Sequence, residues 1–386
     1  MLSHPGNDPE VYRQIAETAR RFADEVVRPV AEALDRDESF PRDIYRQMGA
    51  LGLFGITVPD DQGGAGLDAL AYAIVMEELS RGYASVADQC GLVELIGTLL
   101  TRYGTDAQRA RLLPGILASD ILVAYCISEA EAGSDVAGIR TTATRDGDGW
   151  RLDGGKLWIH NAPVADVGFV LARTDPAAGH RGMSIFIVDL HAAGVTRGPK
   201  EHKMGQRASQ VGALTFDGVR LPADALLGEA GRGFHMMMSV LEKGRIGIAS
   251  LAVGIAQAGL EAALGYAQQR KQFGRAIIDN QGLQWMLADM ATQIAAAREL
   301  VRRAAMLTDA GAPANAACSM AKCFAGDMAV AQTANAVQVF GGSGYIRGFE
   351  VERLYRDAKI TQIYEGTQQI QRTIIARELI RNGPRP

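Results

Sequence analysis

Arg356-Asp357-Ala358-Lys359-Ile360-Thr361-Gln362-Ile363-Tyr364-Glu365-Gly366-Thr367-Gln368-Gln369-Ile370-Gln371 is the stretch on which the reading of this chain turns. Glu365 is its one carboxylate with no cation three or four residues away. Ile360, Ile363 and Tyr364 precede it, and Gly366 and Thr367 follow. A carboxylate held against apolar surface has its charged form disfavoured, which lifts its pKa toward the range where a general base works at neutral pH. Gly366 and Thr367 can interrupt a helix and leave backbone N–H groups beside the carboxylate. That geometry suits removal of a proton next to a carbonyl whose oxygen is held by a backbone donor. On these residues alone, a solvated Glu at a helix–turn–helix corner reads equally well.

Outward from this segment, helical patterns fill the C-terminal part: Phe234 to Gln269, Leu283 to Asp309, Ala314 to Val339 and Val351 to Arg381. Four long helices with short connections fit an up-down bundle. Before them, residues 120–228 change texture. Short apolar runs at Ile121 to Ile127, Val167 to Ala172, Met183 to Asp189 and Ala213 to Phe216, with the turn signal Asp146-Gly147-Asp148-Gly149, read as a small antiparallel β domain. Residues 1–119 return to helix: Asp8 caps a run carrying Val11, Ile15, Ala19, Phe22 and Val26 at helical spacing. The fold class expected is mainly α with a central β domain, divided into 1–119, 120–228 and 229–386.

At 386 residues the chain is too long for one simple core. A net charge of −4 gives no reason to expect nucleic acid or an anionic membrane as partner. No apolar run is read as long enough to span a membrane. Cys90, Cys126, Cys318 and Cys323 and the six histidines show no metal-ligand spacing, so no metal is expected. The cysteines read as core residues in a reducing compartment. With no basic-then-apolar signal at the N-terminus, a cytoplasmic location is the expectation.

Three stretches carry a family resemblance. Tyr364-Glu365-Gly366-Thr367 resembles the signature of the acyl-CoA dehydrogenases. Tyr125-Cys126-Ile127-Ser128-Glu129-Ala130-Glu131-Ala132-Gly133-Ser134-Asp135 resembles their flavin-binding loop, and Gln338-Val339-Phe340-Gly341-Gly342-Ser343-Gly344-Tyr345 their adenine-binding turn. They fall in the family's order, and the similarity runs through essentially the whole chain. The resemblance implies FAD as cofactor and the helical, β and four-helix-bundle arrangement. It also implies dehydrogenation of an acyl-CoA to the trans-2-enoyl-CoA: Glu365 takes the pro-R α-proton while a hydride leaves Cβ for flavin N5. The thioester oxygen would sit between the Glu365 N–H and a ribityl hydroxyl. An electron-transfer flavoprotein would accept the electrons, and the chain would form a homotetramer, a dimer of dimers.

Residue by residue, the resemblance implies that Tyr125, Ile127, Ser128, Gly133 and Ser134 contact FAD, with Ser134 also near the pantetheine arm. Ala130-Glu131 stands where the family usually has Pro-Gly. Trp158 and Ile159 would pack on the flavin; on spacing alone, a Trp next to a strand reads more readily as core. His160 occupies the place of a Thr or Ser that hydrogen-bonds N5; a neutral imidazole can also donate there. The alternative for His160 is a surface residue turned away from the ring. Arg270 would bind the flavin pyrophosphate of a neighbouring subunit with Phe273 packing nearby, and Gln272, Asn280 and Gln281 would make further cofactor contacts. Gln338, Val339, Gly341 and Gly342 would hold the adenine, with Thr367 and Gln369 just past the base. Glu242, Arg245 and Gly366 would face the acyl-CoA. Gly244 stands where other branches of the family place their base, which leaves Glu365. Met204-Gly205-Gln206-Arg207-Ala208-Ser209 is assigned to the substrate-side surface. By position, Asp88, Gln89, Cys90, Gly91 and Glu94 lie near the acyl pocket; their carboxylates suit a short or polar acyl group or, the favoured reading, point away. His160 leaves open an oxidase, decarboxylase or desulfinase on the same fold; the alternative outside enzymes is a non-catalytic acyl-CoA- or flavin-binding assembly protein.

Overall fold

The structure, a computed structural model, describes residues 8–383. Asp8 opens the first helix by accepting from the Glu10 N–H, and Pro9 sits where a missing N–H costs nothing. Helix α1 (Pro9–Phe22) runs through a π turn and a 3₁₀ turn into α2 (Ala31–Asp37) and then α3 (Arg42–Ala50). The long pair α4 (Ala69–Gly82) and α5 (Ala84–Tyr103) follows, then α6 (Asp106–Leu117), started by a reciprocal capping box between Thr105 and Gln108.

The central block contains β1 (Val123–Cys126), β2 (Thr142–Asp146), β3 (Gly149–His160), β4 (Val167–Arg173), β5 (Met183–Asp189), β6 (Val195–Arg197), β7 (Val211–Leu221) and β8 (Leu226–Leu227). The sheet order is β6-β7-β3-β2-β4-β5-β8, with β1 alongside β4. Most pairs are antiparallel, but β1 runs parallel to β4, and β2 meets β4 in parallel at Thr142 and Arg173. The expectation of a purely antiparallel domain is corrected there: the chain enters the sheet from α6 beside a strand that it reaches again only after a long excursion, which permits a parallel pair.

Helix α7 (Gly233–Gln269) is the axis of the C-terminal part, and every residue from Gly244 to Ala256 is buried. It packs against α4, α5, α8 (Gln281–Asp309) and α9 (Asn315–Phe340). Gly254 lets α4 close in: a side chain there would overlap Ser80 and the Glu77 carbonyl. By length and composition α7 could cross a membrane, so the reading that no apolar run is that long is corrected. A helix surrounded by protein on all sides acquires the same composition. Between α7 and α8, β9 (Lys271–Gln272) and β10 (Arg275–Ala276) form a small hairpin.

The last bundle element differs from the expected single helix. Val351 to Arg381 divides into α10 (Glu350–Lys359), a 3₁₀ turn at Ile360–Gln362, an irregular link and α11 (Gln368–Asn382). The break falls in the segment that opened the sequence reading. One apolar core joins the N-terminal helices, the bundle and the inner face of the sheet; a second fills the β block, and a third lies at the far end of the bundle.

Candidate active site

The link between α10 and α11 turns sharply, with Glu365 at φ 53° and Gly366 at φ 87°. A non-glycine residue held there costs about 1–3 kcal/mol and persists only where its surroundings impose it. Here they do. Gln371 Nε2 donates to the Glu365 and Gly366 carbonyls, each at 3.0 Å, and Lys322 Nζ reaches from α9 to the Gly366 carbonyl at 2.7 Å. Both Lys322 and Gln371 are fully buried. With its backbone held by the bundle, Glu365 lays its carboxylate on α7, where a methyl at Gly244 would come within 2.5 Å of Oε2. Oε2 is out of solvent and has no hydrogen-bond partner among the described residues. Burial pushes the carboxyl up to about 7; the Asp88 charge adds to this, while Arg245 and Lys322 draw it down. A basic, desolvated and unpaired carboxylate is the electrostatic profile of a general base.

The sheet brings a second set of groups to the same end of α7. Tyr125, on β1, donates to the Met237 carbonyl at 3.1 Å. The loop after β1 is braced by Glu129, which accepts from the Arg140 and Thr141 N–H groups and pairs with buried Lys156 at 2.8 Å. Lys156 also donates to the Ile127 carbonyl, and the Leu157 N–H to that of Ser128. Gly133 and Ser134 are left exposed, with open space around Gly133. Strand β3 breaks register with β7 between Lys156 and Ile159. Trp158 sits in that bulge at φ 57°, its side chain 64% exposed, so it is not the core residue that spacing alone favours. Ile159 turns its side chain into the β core, so only its backbone is placed to meet a ligand.

His160 is not a surface residue. Its Nδ1 lies 3.3 Å from Asp88 on α5, and its Nε2 is buried without a partner. Burial lowers its pKa, Asp88 raises it and Lys203 lowers it further. Asp88 also accepts from Ser209 at 3.1 Å. The favoured reading that the α5 carboxylates point away is therefore corrected for Asp88. Glu94 turns inward as well, accepting from Thr57 beside Lys243. The loop at Met204–Ser209 docks on α10, with the Gln206 N–H bonded to Asp357.

The remaining expected residues divide between the two ends of α7. Arg245 is buried next to Glu365, donates to Asn315 at 2.6 Å and leaves Nε without a partner; Glu242 is partly exposed nearby. Thr367 uses its hydroxyl to cap α11, and Gln369 is exposed. Arg270, however, ends α7, twenty-six residues beyond Gly244, which is about 39 Å along a straight helix. Gln272 and Phe273 are exposed on the hairpin that follows, with Phe273 fully so at its tip; Asn280 and Gln281 open α8. The turn after α9 lies at this same far end, since Phe340 stacks on Tyr266 at 4.1 Å between ring centroids. Gln338, Gly341 and Gly342 are exposed there, with nothing within 4 Å of a side chain at either glycine. Val339 has its side chain in the third core, so only its backbone is placed to meet a ligand. One chain thus presents two separated half-sites.

A helical domain, a β sheet and a helical bundle meet at a partly buried carboxylate, the architecture shared by oxidoreductases of the acyl-CoA dehydrogenase class. The family descriptions match in order: acyl-CoA dehydrogenase N-terminal domain over residues 9–120, middle domain over 124–219 and C-terminal domain over 231–380. The mitochondrial short-chain specific acyl-CoA dehydrogenase of Bos taurus is 42% identical over 379 residues, 97% of this chain and 91% of that protein. Butyryl-CoA dehydrogenase from Megasphaera elsdenii superposes with a TM-score of 0.94 at 37% identity, covering 97% of this chain and 99% of the other. A chain from a structural study of the electron transferring flavoprotein of Acidaminococcus fermentans gives a TM-score of 0.95 at 41% identity, covering 98% and 100%. This chain belongs to the acyl-CoA dehydrogenase family, and its cofactor is FAD. The residues present fit that group: an exposed Trp158 on a strand bulge, the orphaned Nε2 of His160, and glycine backbones standing open at Gly133, Gly341 and Gly342.

The sequence reading missed the supports of the site. Lys322 and Gln371 hold the Glu365 turn, yet a buried Lys in an apolar helix and a Gln in a polar run carry no distinctive signal. Asp88 and His160 are seventy-two residues apart, and only the fold joins them.

Proposed function

We propose that this protein dehydrogenates an acyl-CoA thioester between Cα and Cβ, with Glu365 as the base that takes the α-proton. The observation that carries this is the Glu365 carboxylate itself: partly buried, with Oε2 out of solvent and unpartnered among the described residues, held up to about 7, and fixed in a strained turn by Lys322 and Gln371. A strained, unpaired carboxylate costs stability and is maintained for a purpose, which speaks against a non-catalytic binding protein. As the proton leaves Cα, charge grows on the thioester oxygen. The Glu365 N–H is suited to hold it, because the neighbouring carbonyls are committed to Lys322 and Gln371. Arg245 and Glu242 face the CoA portion, Arg245 with an Nε free to donate. The bound flavin supplies the acceptor for the hydride equivalent leaving Cβ. Trp158 and His160 line its place; with Nδ1–H turned to the Asp88 carboxylate, an uncharged His160 presents Nε2 there as an acceptor without adding a buried charge.

The half-site at the Arg270 hairpin serves the cofactor of a second copy. A fully exposed Phe273 beside Arg270, with Trp285, Tyr345, Ile346 and Ile380 also exposed, is the surface of a chain that associates, here as a tetramer of paired dimers. An electron-transfer flavoprotein is the proposed electron acceptor. The test is anaerobic mixing of the holoenzyme with straight, branched, aromatic and dicarboxylic acyl-CoAs. Bleaching of the flavin by at least one supports the reading, and no bleaching by any of them refutes it.

A further inference from the structure

Helices α5 and α7 cross the Glu365 carboxylate as an antiparallel pair. At the carboxylate, Gly244 of α7 faces Leu95 of α5, whose Cδ2 would lie 3.4 Å from a methyl at that glycine. One turn further along α7 is Gly247, and one turn back along α5 is Gly91. This direction leads inward, because α7 is buried at every position from Gly244 to Ala256, whereas residues 241–243 are partly exposed. Two facing glycines would leave a channel continuing past the carboxylate. The phenol of Tyr72, from α4, fills it. A side chain at Gly247 would overlap the Tyr72 hydroxyl, and one at Gly91 would lie 3.5 Å from it and 3.4 Å from Met76 Cε. Tyr72 is 1% exposed, and its hydroxyl makes no hydrogen bond among the described residues.

The gap has no freedom to widen. Beside it, Lys243 of α7 donates to Thr98 at 2.9 Å and to Thr57, and lies 3.4 Å from Glu94 of α5, which also accepts from Thr57. Breaking such a buried charged network is costly, so it fixes the spacing of α5 against α7.

We propose that Tyr72 is the residue that ends the acyl pocket and thereby restricts the substrate to short acyl chains. This rests on the acyl-CoA dehydrogenase reading, with Cα placed at Glu365. From the Gly244 level to the Gly247 level is one helical turn, about 5 Å, which is room for a few methylenes beyond the reacting carbons. A longer chain has to displace a fully packed phenol from a core that does not yield cheaply.

The test compares the FAD-loaded wild type with Tyr72→Ala and Tyr72→Leu. The first readout is the kcat/KM ratio for octanoyl-CoA over butyryl-CoA. The second is the Kd ratio of S-octyl-CoA and S-butyl-CoA, thioethers that cannot react, read from the flavin spectrum. Wild type should favour the four-carbon ligand in both. Tyr72→Ala should move both ratios at least tenfold toward the eight-carbon ligand, and Tyr72→Leu should move them in the same direction by less. If Tyr72→Ala does not fold, Tyr72→Leu decides alone. Wild type favouring octanoyl-CoA, or folded variants with unchanged ratios, would overturn the role of Tyr72 while leaving the dehydrogenase intact. Failure of every acyl-CoA to bleach wild-type flavin would instead remove the underlying reading.

Discussion

Glu365, the proposed base, sits in a strained turn at φ 53°. Replacing it by Gln keeps the shape of the turn and removes the base, so flavin reduction should slow by about three orders of magnitude with FAD still bound, as stopped-flow absorbance would show. The same variant should report the cost of the carboxylate. A group whose folded-state pKa is raised favours folding below its unfolded value, near 4.5, and loses that contribution as pH rises through about 7. At pH 8 the wild type forgoes at most about 3 kcal/mol, so Glu365→Gln should raise Tm more at pH 8 than at pH 5. In the active enzyme the carboxyl must be ionised, so kcat/KM should fall as pH drops below about 7. His160 belongs to the same scale. Its partner Asp88 and its orphaned Nε2 predict that His160→Thr shifts the pH dependence of the flavin potential, measured by anaerobic redox titration; an unchanged profile would make the residue a neutral replacement. The sequence singled out Glu365 as a carboxylate without a nearby cation, and only the family resemblance, with Gly244 at the other branches' base position, favoured it over a solvated turn residue. The Asp88 contact was not legible there, since nothing local to His160 announces a carboxylate on another domain.

At the level of elements, the informative pieces are those where regular structure fails. The helical pattern from Val351 to Arg381 is continuous enough to read as one helix, and the chain breaks it at Ile360–Thr367. The break is enforced by tertiary hydrogen bonds from Lys322 and Gln371, which no period in the sequence encodes. Strand β3 likewise runs to His160 through a register shift between Lys156 and Ile159, where Trp158 takes a positive φ. Conversely, a strand with a strong apolar run, such as Met183–Asp189, was readable to the residue. Lys322→Met should release the Gly366 carbonyl and misplace the base. Flavin reduction should fall about a hundredfold, the usual consequence of a misplacement of about 1 Å, with little change in KM. Because Lys322 draws the Glu365 pKa down, the pH profile should also move upward; a profile unchanged in height and position would show that Lys322 only packs.

Across the whole molecule, the separation of the two half-sites matters most. The order of helical part, sheet and bundle follows from changes in periodicity along the chain, but periodicity is silent on which end of α7 a motif occupies. Arg270 stands about 39 Å from Gly244 along the helix, and the Gly341–Gly342 turn follows Phe340, which stacks on Tyr266 near that same end, away from Glu365. Arg270→Ala, or Phe273→Ser at the hairpin tip, should therefore weaken FAD retention and oligomer assembly together. Size-exclusion chromatography with absorbance at the flavin band would follow both; full retention of FAD by a stable monomer would contradict the second half-site.

The account stands on Glu365 as the base that starts flavin reduction, and one measurement reaches it most directly. The FAD-loaded protein and its Glu365→Gln variant are mixed anaerobically with butyryl-CoA, and the oxidised-flavin absorbance is followed in a single turnover. The account predicts rapid bleaching in the wild type and a rate about a thousandfold lower in the variant, with substrate still bound. Comparable bleaching in both would contradict it.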